Sequence, residues 1–425
     1  MPWRGRLGTG TGRLVAAAIA AALVAELAAL ALSPADTGPE PIPVDAERAF
    51  DSAQIERGRE YRDGGRTLLL VGLGVELAAL GLLAAGRPRS ARRVLERAGA
   101  RPLLGAAAAG AGISLVLALL SLPTAALAHE RAVEVGLSTQ DVGGWLADQG
   151  RSAAITAILA AVGAALLVGI QRRLPRAWWA LGAGVVVLYA TVSSWLAPIV
   201  LAPIFNDFEP LGEGPARRQV LTLTERAGVD VGDVLRVDAS RRSTALNAYV
   251  DGIGSSKRVV LYDNLLDRTE GAELRAVVAH ELGHVAHRDI PRGLLFVALV
   301  APLGMLTVAL AGTGLARRVG SEPGTPAAVP AYALALTVVA FAAGLAGSQL
   351  SREVEASADR FALELTGDPA GFIDLQRRLA LTNLSDPDPS SFVDALLRTH
   401  PTTVERIGAA IAYRDERSEG AEGAS

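Results

Sequence analysis

Residues 276–316 read AVVAHELGHVAHRDIPRGLLFVALVAPLGMLTVALAGTGLA. Two histidines four residues apart sit in an apolar, helix-periodic run. A charge-free stretch then follows over 294–316, long enough for a helix to cross a hydrocarbon core. Ligand-type side chains that lead directly into a membrane span decide how the rest of the chain is read.

Working outward, six further apolar spans fall at 14–32, 66–86, 103–128, 153–170, 177–204 and 327–349. Half of the 425 residues are hydrophobic and the mean hydropathy is +0.32. A soluble chain of this length reads more polar. The first span follows Arg4, Arg6 and Arg13 as a signal peptide would, but it outruns a signal core and Pro34 follows it, so it is read as a retained helix. Glu26 and Glu76 fall inside spans. A charge in lipid costs about 2.5–3.5 kcal/mol or more, so each carboxylate either sits near an interface or is protonated, or faces a polar cavity inside the bundle.

Composition excludes several chemistries. The chain has no cysteine, which removes disulfides, thiolate catalysis and Cys-based metal sites. A net charge of -3 gives no reason to expect a nucleic-acid partner. Lys257 is the one lysine among the basic residues, and with the abundant alanine this fits a G+C-rich bacterial genome. Arginines cluster in alternate loops: Arg87, Arg89, Arg92, Arg93, Arg97 and Arg101 after the second span, then Arg172, Arg173 and Arg176, then Arg317 and Arg318. The positive-inside rule puts these loops in the cytoplasm of a bacterial plasma membrane. Residues 205–293 and 350–425 then lie on the extracytoplasmic side. Trp178 and Trp179 fit an interfacial anchor beside one cluster.

Two polar stretches interrupt the spans. Over 206–290 the pattern gives a helix at 214–227, short strands in VLRVDAS, NAYV and RVVLYD, and a helix from about 268 to 288 that Asp267 would cap with Glu270. Over 350–415 it gives helices near 350–366, 369–383, 389–398 and 401–413. The domain division is 1–205 (five membrane helices), 206–415 (catalytic segment with two more) and a disordered tail, 416–425.

Residues 280–284 read His-Glu-Leu-Gly-His. On a helix, i and i+4 stand one above the other, so His280 and His284 aim at one point. Neutral imidazoles suit Zn2+, and Glu281, one residue round, reaches a zinc-activated water as general base. His287 shares the face, but about 10 Å of helical rise separates it from His280. It is read as a second-shell or surface residue. The third ligand is expected from SREVEASADRFALELTG (351–367), where Glu355 and Asp359 share a face. Glu355 completes a His₂Glu site for one zinc per chain, and Asp359 orients a ligand histidine. Glu353 and Glu364 read as solvated. Two crossings separate His284 from Glu355, so both halves of the site return to one side of the membrane.

With these motifs in place the sequence resembles the type 1 CAAX prenyl endopeptidases and their HtpX-like bacterial relatives, HExxH membrane zinc metallopeptidases. The matching strings are STALNAYVDGIGSSKRVVLYDNLL (243–266), HELGH (280–284), SREVEASADRFA (351–362) and THPTTVERI (399–407). The resemblance implies a ring of seven transmembrane helices around a water-filled chamber, with a gluzincin-type peptidase domain carrying a small β-sheet. It implies zinc on His280, His284 and Glu355 and a general base at Glu281. It further implies that Asn247 holds substrate and that His400 steadies the oxyanion, with Arg406 pairing a carboxylate such as Asp359. The family's eukaryotic members cleave on the cytosolic side, whereas the loop arginines here put the catalytic face outside.

The sequence therefore predicts a mainly α, polytopic membrane zinc metalloendopeptidase, CAAX-protease-like. Its partners are peptide or protein substrates and membrane lipid, and no nucleic acid. Quality control of damaged membrane proteins is the nearest alternative and a non-catalytic transporter or scaffold the remote one. Substrate is expected to lie extended along the strand edge at 246–250.

Overall fold

The computed structural model describes residues 4–252, 257–269, 271–389 and 392–422. Seven helices are long and apolar enough to cross a membrane. The first five spans are α1 (Arg4–Leu32), α3 (Ser52–Ala84, entered through the short α2, Ala46–Ala49), α5 (Pro102–Glu134, preceded by the basic α4, Arg89–Arg97), α6 (Val142–Arg173) and α7 (Trp178–Leu196). A π-turn carries α7 into α8 (Ala202–Phe205). Most of the helices overrun their apolar runs, whereas α7 ends before its run does; α3 starts at a capping box between Asp51 and Gln54, ahead of the apolar run that begins at 66.

A four-stranded sheet follows, in the order β1-β2-β4-β3, with α9 (Pro215–Arg226) between its first two strands. The strands are β1 (Phe208–Pro210), β2 (Asp233–Val237), β3 (Ala248–Asp251) and β4 (Arg258–Tyr262). β3 is an edge strand, antiparallel to β4. The three-residue β1 was not expected, because so short a strand ending in Pro210 carries no alternation to read.

The helix expected from 268 to 288 is α11 (Ala272–Ala286), which starts later; a separate short helix, α10 (Asp263–Arg268), precedes it. Asp267 lies within α10, and Gly271, at φ 55, turns the chain into α11. Glu270, its proposed partner, lies outside the described residues. The sixth span, α12 (Asp289–Arg318), follows at once, the corner being made by Arg288 in the left-handed region (φ 57, ψ 47). Spans and helices expected at 327–349 and 350–366 form one rod, α13 (Val329–Thr366), since the polarity change at Ser351 contains no helix breaker. Then come α14 (Pro369–Thr382), α15 (Phe392–Leu397) and α16 (Thr403–Glu422). The expected tail from 416 is helical up to Glu422, its Glu, Arg and Ala content prolonging α16 rather than fraying it.

The spans close into a circuit. α3 packs on α5, α5 on α6, α6 on α7, α7 on α12, α12 on α13 and α13 back on α3, while α1 lies in the angle of α12 and α13. Between 0 and 33% of each span's most apolar window is buried, so the ring keeps free surface inside and out and encloses a chamber. In the α7–α12–α13 seam Trp178 meets Tyr332 edge-on at 5.4 Å, and Tyr332 shares a 2.9 Å hydrogen bond with Thr313. The main apolar core lies at one end of the ring. There α9, β2 to β4, α11, α14, α16 and the end of α13 bury Val220, Leu261, Leu282, Leu363 and Phe372.

Candidate metal centre

α11 is fixed by its apolar face. Leu282, between the two histidines, is fully buried, and truncating such a leucine costs about 2–5 kcal/mol. Gly283 lets α13 come close: a Cβ there would stand 3.2 Å from both Ala358 Cα and Phe361 Cβ. The approach sets Glu355 against the histidines. His280 Nε2 is 3.2 Å from Glu355 Oε2, His284 Nε2 is 3.6 Å from Glu355 Oε1, and the two Nε2 atoms are 3.2 Å apart. One ligand atom from each residue lies within 4.8 Å of the others.

Hydrogen bonds on the far side of each ring decide what this cluster can hold. His280 Nδ1 is 2.8 Å from Asp359 Oδ1, and Arg406 grips Asp359 at 2.7 and 2.5 Å, keeping it a carboxylate. His284 Nδ1 is 2.9 Å from Asp289 Oδ2, which Arg292 holds through its other oxygen at 2.7 Å. A carboxylate only accepts, so each Nδ1 carries the hydrogen and each Nε2 presents a lone pair. Two lone pairs and a carboxylate then face one point. Glu355 Oε2 is buried there and accepts no hydrogen bond, because its short approach to His280 lacks bonding geometry. Without a cation a proton substitutes. Burial opposes charging His280, yet the carboxylates of Asp359 and Glu355 beside it win and raise it to about 10. The donor set, its orienting carboxylates and the orphaned oxygen fit zinc at a His₂Glu site.

Glu281 follows His280 on α11. Burial raises its carboxyl above the ordinary value, against the pull of His280 and His284, as suits a group that takes up and returns a proton. His400 reaches the centre from the start of α16, its Nε2 3.3 Å from Glu355 Oε1 and its Nδ1 2.9 Å from Thr399 Oγ1. Its side chain remains 57% exposed. A reciprocal cap between Thr402 and Glu405 starts α16 and aims Arg406 at Asp359. Asn247 is exposed at the head of β3, where its carbonyl accepts from Tyr262 N at 3.2 Å. Its side chain makes no bond to the cluster among the described residues. His287 bonds Ser357 at 3.1 Å and meets Phe361 edge-on, tying α11 to α13 away from the centre. Glu353 and Glu364 are exposed.

Asp289 was not anticipated. It lies five residues past His284, beyond the helix that the motif occupies, and only the Arg288 corner folds it back. An acid directly after a histidine motif, followed by Pro291 and Arg292, was the available signal.

Known proteins match the chain along most of its length. The peptidase family M48 model matches residues 210–414. A model described as CAAX prenyl protease N-terminal, five membrane helices, matches residues 40–207. An uncharacterized metalloprotease, YhfN, of Bacillus subtilis is 29% identical over 300 residues, 69% of this chain and 70% of that one. Protease HtpX of Acinetobacter baumannii is 30% identical over 209 residues, 45% of this chain and 68% of its own. A CAAX prenyl protease 1 homolog of Arabidopsis thaliana is 31% identical over 231 residues, 52% of this chain and 53% of that relative. The crystal structure of S. mikatae Ste24p shares the fold, with a TM-score of 0.76 at 20% identity, over 96% of this chain and 99% of that one.

Proposed function

The chain belongs to peptidase family M48 and is an integral membrane metallopeptidase, and from that premise we propose that His280, His284 and Glu355 hold one zinc ion with Glu281 as general base. The observation that carries the reading is the pair of Nδ1–carboxylate bonds, which leaves both Nε2 lone pairs converging on Glu355. Zinc bound there would polarise the scissile carbonyl and acidify water. Glu281 takes the proton from that water and returns it to the leaving amine. His400 donates to the oxygen of the attacked carbonyl. Asp359 and Asp289 fix the ring orientations, and Arg406 fixes Asp359. The substrate peptide lies extended against β3, with Asn247 at its head.

The substrate class follows the name of the plant relative: a CAAX-type carboxyl-terminal peptide. The catalytic unit spans 206–415 and the membrane unit 1–205, a division supported by the boundary between the two family models. The catalytic face is extracytoplasmic in a bacterial plasma membrane. The arginine loops at 87–101, 172–176 and 317–318 support that side, and the similarity to Bacillus and Acinetobacter proteins supports that source.

The test is zinc content and casein cleavage of the detergent-purified chain beside Glu281→Ala. About one zinc in both, with cleavage lost by roughly 10²–10⁴-fold in the variant, is the expected result. A wild type that folds and binds no zinc rules the reading out.

A further inference from the structure

The end of the ring away from the metal centre carries charge that the fold leaves unpaired. α12 starts beside the metal centre and ends at Arg318, 30 residues on, about 45 Å along a straight helix. The turn that follows it, 319–325, meets two other connections between spans. A Cβ on Gly86, just past α3, would stand 3.3 Å from the Arg92 side chain of α4, and one on Gly320 would stand 3.7 Å from the same side chain. Gly324 N donates to Gln171 Oε1 at 2.7 Å, and its carbonyl accepts from Arg172 Nη1 at 3.5 Å, both at the end of α6. The connections at 86–101, 171–176 and 317–325 therefore form one face.

That face holds eleven arginines against two acids, Glu96 and Glu322. Ten of the arginines are exposed; the other, Arg92, is paired with Glu96 at 2.7 Å. Among the described residues no other carboxylate meets any of them. At the metal end the pattern is the reverse: Arg242, Arg258, Arg292, Arg378 and Arg406 are each paired with an acid. α4 shows how the charge is presented. Leu95 packs on Ala106 of α5 and Val168 of α6, while Arg89, Arg93 and Arg97 recur at i, i+4 and i+8 and stay exposed. Beside them Val94 is exposed, as are Leu103 and Leu104 at the start of α5 and Leu174 at the end of α6.

We propose that this face binds anionic phospholipid, with phosphodiester groups held between the arginines of α4 and those at 172–176 and 317–318. Guanidinium donates paired hydrogen bonds to phosphate oxygens. Exposed aliphatic side chains among the arginines, at the ends of membrane helices, suit the boundary between headgroups and acyl chains. An acidic protein would meet the arginines but has no use for leucines at that depth. A zwitterionic headgroup brings its own cation, which competes for the phosphate, so the face discriminates by net headgroup charge. Each arginine is worth about fivefold in affinity for an anionic surface. The proposal is independent of the peptidase chemistry.

The experiment titrates the full chain, purified in detergent, with phosphatidylglycerol or phosphatidylcholine of the same acyl chains. Bound lipid is counted by native mass spectrometry. The wild type is expected to bind phosphatidylglycerol at least about tenfold more tightly, with the preference shrinking as salt rises. Arg89→Gln with Arg93→Gln and Arg97→Gln lowers that affinity about tenfold or more. Arg173→Gln with Arg176→Gln lowers it too, and serves if the triple variant does not fold. A control that removes equal charge from the metal end, Arg218→Gln with Arg236→Gln and Arg268→Gln, leaves it unchanged. Equal binding of the two lipids by the wild type overturns the proposal. So does an equal loss in the α4 and control variants, which would assign the effect to net charge rather than to this face. Tight binding of polyglutamate without any lipid preference overturns it as well, and identifies an acidic polypeptide as the occupant.

Discussion

Asp289 decides which nitrogen of His284 faces His280 and Glu355. The 2.9 Å bond to Nδ1 fixes that ring as Asp359 fixes His280. Removing such an orienting carboxylate weakens metal affinity by about 10–100-fold. Asp289→Asn is therefore expected to lose zinc to a competing chelator at correspondingly lower chelator concentration, with the fold intact. Equal retention would mean that the Arg288 corner, not Asp289, orients the ring. At this scale the sequence was most legible where spacing alone determines geometry. His280 and His284 follow from i,i+4, and Glu355 with Asp359 from the same rule two helices later. His400 and Arg406 needed the resemblance, because a loop and a capped helix start bring them in from the far end of the chain. Asp289 escaped both routes, since a left-handed residue has no periodic signature.

Between elements, the quantity that matters is the distance from α11 to α13. Gly283 sets it. Alanine there would favour helix by about 1 kcal/mol, but its Cβ would press on the Ala358 backbone at 3.2 Å. The rods must separate by a few tenths of an ångström, carrying Glu355 away from the histidines. Gly283→Ala is expected to cleave casein roughly tenfold or more slowly at equal folded fraction, since small misplacements at a reacting centre are costly. Wild-type activity in this variant would show that the crossing has slack. Apolar runs locate all seven spans but not their ends: α3, α6 and α13 start or run on past the hydropathy edge, whereas α7 stops at Leu196, short of it. α13 runs from Val329 to Thr366 because helix propensity, unlike hydropathy, does not change at Ser351. Periodicity also runs across Gly271, so it puts the start of α11 near 268 rather than at Ala272.

For the whole molecule, the ring closure of α3, α5, α6, α7, α12 and α13 was not legible from periodicity, which gives faces but not neighbours. The even number of crossings between His284 and Glu355 was legible, and it places the two halves of the site on one side. Which side is a separate matter that the molecule makes easy to test. Because the chain contains no cysteine, a single introduced thiol is the only one. In intact cells, Ser418→Cys on α16 is expected to react with a membrane-impermeant maleimide and Ser90→Cys on α4 to react only after lysis. The reverse pattern would put the catalytic face in the cytoplasm.

α13 has one more consequence. It is a single helix of 38 residues, about 57 Å long, and Glu355 lies roughly 25 Å beyond the middle of its apolar part. The rod is thus a lever whose long arm is embedded in lipid and whose tip carries a ligand. A bilayer thinner or thicker than the span is accommodated partly by tilt. A tilt of about 2° at that arm length displaces the tip by about 1 Å. The thickness of the surrounding lipid therefore enters the geometry of the metal centre, with no messenger other than a stiff helix.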